Sequence, residues 1–150
     1  MMISKGKEKD IMWGLQKETF VLPLLKSKIK DVKKTENQFD CFDFRSDALK
    51  IDLELKSRNI FKGQYPTIFF GLNKLVEGRL RRKNGTSLRT IYLFRFKQRN
   101  NFNKHAVYFW EDDGKFGNTT MNGNIQRGDK KKELVDLPCK LLKPLKELFV

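Results

Sequence analysis

FDFRSDALKIDLELKSR, residues 42–58, decides how the chain folds. Phe42, Asp43 and Phe44 alternate apolar and acidic, and Arg45 to Lys50 has the polar composition of a hairpin connection. Ile51, Leu53 and Leu55 then point one way and Asp52, Glu54 and Lys56 the other, because side chains alternate across a strand. The first face is aliphatic and fit for a core. The second carries two carboxylates and an ammonium at successive same-side positions. Pairing of the two strands lets Asp43 face the side of Glu54 and Lys56, so that acid, acid and base surround one point. Such a grouping suits a divalent cation and a phosphate ester. Mg²⁺ prefers oxygen ligands and keeps several waters, so one or two carboxylates suffice to hold it. Asp43 and Glu54 are the expected ligands, with the backbone carbonyl of Leu55 between them. Lys56 is placed to orient an attacking water, to stabilise developing negative charge or, with a lowered pKa, to act as a base.

Composition narrows the partner. Of 150 residues, 32 are Lys or Arg and 18 are Asp or Glu, a formal charge of +14. That excess favours a polyanion, held through phosphate contacts and counterion release. The length fits one domain, and 13 Phe with 39% hydrophobic residues are ample for its core. No apolar run approaches the roughly 20 residues of a membrane span. The start, MMISKGKEKD, lacks a signal peptide's apolar stretch, so an intracellular protein is expected. Cys41 and Cys139 then read as free thiols, and two Cys with one His do not make a zinc set.

Elsewhere, residues 4–22 read as a helix with Ile11, Met12, Leu15, Thr19 and Leu22 as its stripe, bent or divided at Pro23. Lys26 to Lys34 has too few apolar residues for a buried element and reads as solvated, with phosphate contact as the second reading. The hairpin runs from about Gln38 to Arg58, followed by a loop, NIFKGQ. A second helix is expected from Pro66 to about Lys83, with Ile68, Leu72, Val76 and Leu80 on its apolar face; a brief strand over Ile68 to Phe70 stays open. Arg79, Arg81, Arg82 and Lys83 suit that helix's negative end and, equally, a nucleic-acid backbone. Arg89 to Lys97 and His105 to Trp110 read as strands of a hairpin. Asn118 to Lys132 is a basic, polar loop, and Leu134 to Val150, broken by Pro138 and Pro144, packs back as short helical turns. His105, Trp13 and Trp110 read as structural.

The succession FDF, polar turn and IDLELKSR, with Asp43 eleven residues before Glu54 and a helix ahead of the hairpin, resembles the PD-(D/E)XK nuclease superfamily over roughly residues 18–96. The resemblance implies an α/β fold with a restriction-endonuclease-like αβββαβ core, a mixed sheet flanked by helices. Residues 1–150 would be one nuclease domain, with its core at about 8–111, the basic loop at about 118–132 and a packing segment at 134–150. It assigns Asp43 and Glu54 to Mg²⁺, which Mn²⁺ can replace, and Lys56 to catalysis. Glu18 on the first helix, with Glu8 second, would face the metal cluster. Lys74 falls where members carry a polar residue near the active site, within reach of a phosphate or water. Arg58, just past the strand, is placed to meet the DNA backbone. Asp52 reads as the partner of a neighbouring lysine. One departure is Phe42, where the family's motif has proline. The implied function is a Mg²⁺-dependent DNA endonuclease working as a homo-oligomer, dimer or tetramer. The alternatives are a non-catalytic nucleic-acid-binding module on the same fold, and a basic ribonucleoprotein component whose motif is coincidental.

Overall fold

The computed structural model describes residues 20–36, 41–98, 101–122 and 132–149. Residues 20–26 are helical and form α1. There follow β1 (Lys33–Lys34), β2 (Phe44–Ser46), β3 (Ile51–Phe61), β4 (Thr67–Gly71), α2 (Leu72–Lys83), β5 (Arg89–Gln98), β6 (Asn101–Glu111), β7 (Thr119–Asn122), β8 (Lys132–Pro138) and β9 (Lys143–Pro144), with 3-10 turns at Cys139–Leu141 and Leu145–Glu147. The class is α/β. A six-stranded sheet runs β1-β2-β3-β5-β6-β9, and a three-stranded sheet runs β4-β8-β7. The large sheet is mixed: β3 and β5 are parallel, its other pairings antiparallel. The step from β3 to its parallel neighbour needs a crossover, which β4 and α2 supply.

The hairpin forms as its sequence asks. Asp47 to Lys50 make the turn, and Lys50 takes a left-handed φ of 54°. Phe44 pairs with Leu53, Arg45 with Asp52 and Ser46 with Ile51. Strand alternation then sorts the core into two layers. Ile51, Leu53, Leu55, Ile91 and Leu93 pack under Val21 and Leu25 of α1. Tyr92, Phe94 and Phe96 face the other way, against Ile68, Phe70, Leu75, Val135 and Leu137 of α2 and the small sheet. The Phe20 ring covers the Arg95 guanidinium at 4.6 Å, holding α1 on the aliphatic layer. The acidic face of β3 therefore looks toward α2 and the small sheet, and burial reaches both faces: Asp52 is 1% exposed and Glu54 4%.

Several expectations are corrected. The helix does not stop at Pro23 but continues to residue 26; its stripe from Ile11 to Thr19 lies outside the described residues. Leu25, Ile29 and Val32 are buried, so the basic stretch after Lys26 is anchored by every third or fourth residue rather than solvated throughout. NIFKGQ is not wholly loop, because β3 runs on through Phe61. Thr67–Gly71 is a strand, as the β-branched and aromatic TIFFG allows, and the helix starts only at Leu72. Consequently Val76 and Leu80 are 57% and 52% exposed, and α2 buries Leu75 and Gly78 instead. Thr119–Asn122 pairs with β8 and is not loop, while residues 123–131 lie outside the description. Leu134 to Pro138 is strand, and helical turns come only after it.

Gly78 sets how closely α2 sits on β5. A Cβ there would come within 3.0 Å of Thr90 Cγ2 and 3.1 Å of Tyr92 Oη. Gly78→Val should therefore destabilise the protein by about 2 kcal/mol, in the range of an overpacked core. A lowered midpoint in urea with an unchanged slope would show it, and an unchanged midpoint would refute it.

Candidate active site

β2 and β3 bring the acids together. One residue beyond the Phe44–Leu53 pair, Asp43 stands opposite Glu54, and the two carboxyl groups lie within hydrogen-bonding reach. Leu55 contributes its amide: its N–H donates to Asp43 Oδ2 at 2.8 Å. The backbone of Asp43 is clamped as well. Its carbonyl accepts from the Thr35 N–H at 2.9 Å, and Thr35 Oγ1 donates to the Phe42 carbonyl at 2.6 Å. Phe42 is buried under the Arg81 guanidinium at 5.4 Å.

Glu54 is flanked by two ammonium groups. Lys56 Nζ lies 3.9 Å from Oε1 and Lys74 Nζ 3.2 Å from Oε2. Lys74 also donates to the Cys41 carbonyl, so its ammonium bridges that carbonyl and the Glu54 carboxyl group. Glu54 Oε2 is buried, with the Lys74 ammonium as its polar neighbour. Burial, then the Asp43 carboxyl beside it, pushes the Glu54 pKa up to about 8, against the pull of Lys56 and Lys74. Burial also lowers the Lys56 pKa, with Glu54 opposing and the charges of Lys74 and Arg58 adding to the fall. For Lys74 burial acts downward too, but attraction to Glu54 outweighs it and leaves the pKa raised. Tyr92 fixes the helix that carries Lys74, its hydroxyl donating to the Lys74 carbonyl at 2.9 Å.

The donor set fits a hard divalent cation. A buried carboxyl group facing a second one is stabilised by added positive charge, and Mg²⁺ needs few protein oxygens. Among the described residues no group of three or more His, Cys, Asp or Glu side chains gathers, and Asp43 and Glu54 are the two that could hold the ion. Glu18 and Glu8, expected to join them, lie outside the described residues. The described part of α1 packs on the aliphatic layer, across the sheet from Glu54.

The remaining expected residues, Lys83 apart, have partners within the protein. Arg58 donates to the Phe69 carbonyl at 2.6 Å. Arg79 and Arg82 both bind Asp112, Arg79 through two bonds of 3.0 Å. Arg81 lies 3.2 Å from Asp52, and Lys83 is exposed. Asp52 pairs with Arg45 at 2.9 Å and with Ser87, so its partners are arginines and a hydroxyl rather than a lysine. Trp110 packs among Phe70, Tyr92 and Phe116, as a structural residue. Three contributors escaped the sequence reading: Thr35, Tyr92 and Asp112. The pairing of Arg45 with Asp52, also missed, did have a signal, in the hairpin register.

Asp112 ties the basic end of α2 to the end of β6. Burial raises its pKa, but bonds from Arg79, Arg82 and the Gly114 N–H more than reverse this, so the net shift is downward. Asp112→Ala should cost about 2 kcal/mol, below a fully buried pair because Arg79 remains partly exposed. Chemical denaturation at pH 7 would check the loss.

No protein-family model, curated protein or solved structure matches this chain. Among the described residues no helix is long and apolar enough to cross a membrane.

Proposed function

We propose that this chain is a Mg²⁺-dependent DNA endonuclease of the PD-(D/E)XK kind, hydrolysing phosphodiester bonds on an αβββαβ core. The observation that carries the reading is the buried Glu54 carboxyl, facing Asp43 and flanked by two lysines on one side of β3. Asp43 and Glu54 would hold the ion, which when bound neutralises phosphate charge and polarises the ester. Lys56 faces the same point. Its ammonium stabilises charge building on the phosphate oxygens, and its lowered pKa makes it a readier proton acceptor for an attacking water than an exposed lysine. Lys74 acts through Glu54: pinned to the Cys41 carbonyl, it holds that carboxylate in place. The formal charge of +14 supports DNA as the partner. A homo-oligomer would let one site per subunit cut each of two strands.

The test is cleavage of supercoiled plasmid and of a four-way junction, with Mg²⁺ or EDTA. Mg²⁺-dependent nicking is expected, lost in Glu54→Gln and Lys56→Ala with DNA binding retained. Binding without cleavage by the unaltered protein, in Mg²⁺ and in Mn²⁺, would leave a nucleic-acid-binding module instead.

A further inference from the structure

Beyond the acid pair, the same strand leads to an apolar groove. β3 continues past Lys56 to Arg58 and Ile60, and β4 lies alongside. Between them opens a cavity of about 500 Å³ lined by Arg58, Ile60, Tyr65, Ile68 and Phe69, among others. Three features limit what can occupy it. Its walls are apolar and aromatic, and Tyr65 is 55% exposed, an uncovered ring at the mouth. Among the described residues its one charged lining residue is Arg58, and no carboxylate lines it. Lastly, Arg58 donates to the Phe69 carbonyl, occupying a backbone acceptor of β4 that an added strand would need. A flat, apolar group carried on an anionic chain meets all three conditions. A strand-forming peptide does not, since the Phe69 carbonyl is taken. The groove lies on the strand that carries the candidate site, with Arg58 two residues beyond Lys56 on β3. Along β3, Ile60 lies at most about 13 Å from Lys56, the reach of a few nucleotides.

We propose that this groove takes an unstacked nucleobase of the substrate strand, stacked on Tyr65, while Arg58 faces the adjoining phosphate. The inference rests on the nuclease reading for the identity of its substrate, and it narrows that substrate to DNA with unpaired or easily opened bases. Stacking of a base on an aromatic ring tolerates sequence, so the groove would select for distortion and not for a recognition sequence.

The experiment uses the full chain in EDTA, where catalysis plays no part. The probes are a duplex with one bulged 2-aminopurine and the fully paired duplex of the same sequence. The fluorescence of the bulged base should change on binding, and Tyr65→Phe should keep the change. Tyr65→Ala should abolish it and weaken binding to the bulged duplex about tenfold, the loss of one base–aromatic stack. Affinity for the paired duplex should stay the same in all three proteins. Tyr65 is exposed, so both variants should fold, which circular dichroism checks. Unchanged fluorescence and affinity in Tyr65→Ala would overturn the groove proposal, as would failure of the unaltered protein to bind the bulged duplex. A dimer in sedimentation that Tyr65→Ala dissolves would overturn it in favour of a second copy of the chain. The two readings fail separately. Mg²⁺-dependent cleavage with no Tyr65 effect removes the groove alone, and a Tyr65-dependent signal without cleavage removes the nuclease alone.

Discussion

Glu54→Gln is expected to slow Mg²⁺-dependent cleavage about 10³-fold or more at saturating DNA, with DNA affinity changed less than twofold. The amide keeps the shape of the side chain and removes the charge that the site is built around. Asp43 would then hold the cation alone, and the buried position of Glu54 Oε2 gives water little room to replace the lost ligand. Losing one preorganised electrostatic group in such sites costs about 10²–10³-fold in rate, and here both the ligand and the partner of two lysines go together. Lys56→Ala should fall within about 10²–10³-fold, since it removes charge stabilisation and leaves the ligands. Lys74→Ala should lose less, because it acts only through the carboxylate. Affinity is spared because it is spread over the cationic surface of a chain carrying +14, whose phosphate contacts add up many small terms. Single-turnover cleavage alongside equilibrium binding in Ca²⁺ separates the two quantities. A Glu54→Gln protein that cuts at the unaltered rate would end the proposal that this carboxylate serves the reaction.

The hairpin was legible because both its signals are local. Strict alternation from Ile51 to Lys56 fixed the two faces, and Asp43 met Glu54 once the strands paired. The environment of that second face was not legible. Alternation gives Asp52, Glu54 and Lys56 one polar side without saying what covers it, and α2 and the small sheet do. Burial there depends on β4 pairing with β8, strands more than sixty residues apart in sequence, which no local pattern encodes. The same long-range pairing explains the misplaced start of α2. TIFFG has a four-residue apolar spacing with the residues after it, and only the partner strand decides that it extends instead of coiling. Ion pairs were the least legible. Arg79 and Arg82 at a helix end suit the dipole, a phosphate or an acid equally well; Asp112, thirty residues on, decides among them.

The buried face carries a second consequence, large and opposite in sign to the loss of activity. Without a cation, the folded Glu54 has its pKa raised to about 8 from an ordinary 4.5. The folded state therefore holds a proton that the unfolded chain releases between those values. A group raised in this way destabilises the fold as pH climbs through the window, the reverse of an ion-paired carboxylate. The metal-free protein should lose on the order of 3 kcal/mol between pH 5 and pH 8, fewer than the full shift implies at about 1.4 kcal/mol per unit, because the pocket can relax. For a chain of this length that corresponds to roughly 10 °C in Tm. Asp112 and the exposed Asp31 and Asp47 are shifted the other way, so their contributions are lost only in more acidic solution and do not mask the window. Glu54→Gln, which cannot ionise, should flatten the curve: its Tm in EDTA should match the unaltered protein near pH 5 and exceed it at pH 8. Adding Mg²⁺ at pH 8 should raise the Tm of the unaltered protein and leave that of the variant nearly unchanged, because only the carboxylate gains from the cation. Parallel Tm curves for the two proteins from pH 5 to 8 would mean that Glu54 is ionised in the folded state without help, and that its pocket holds no charge in need of a metal.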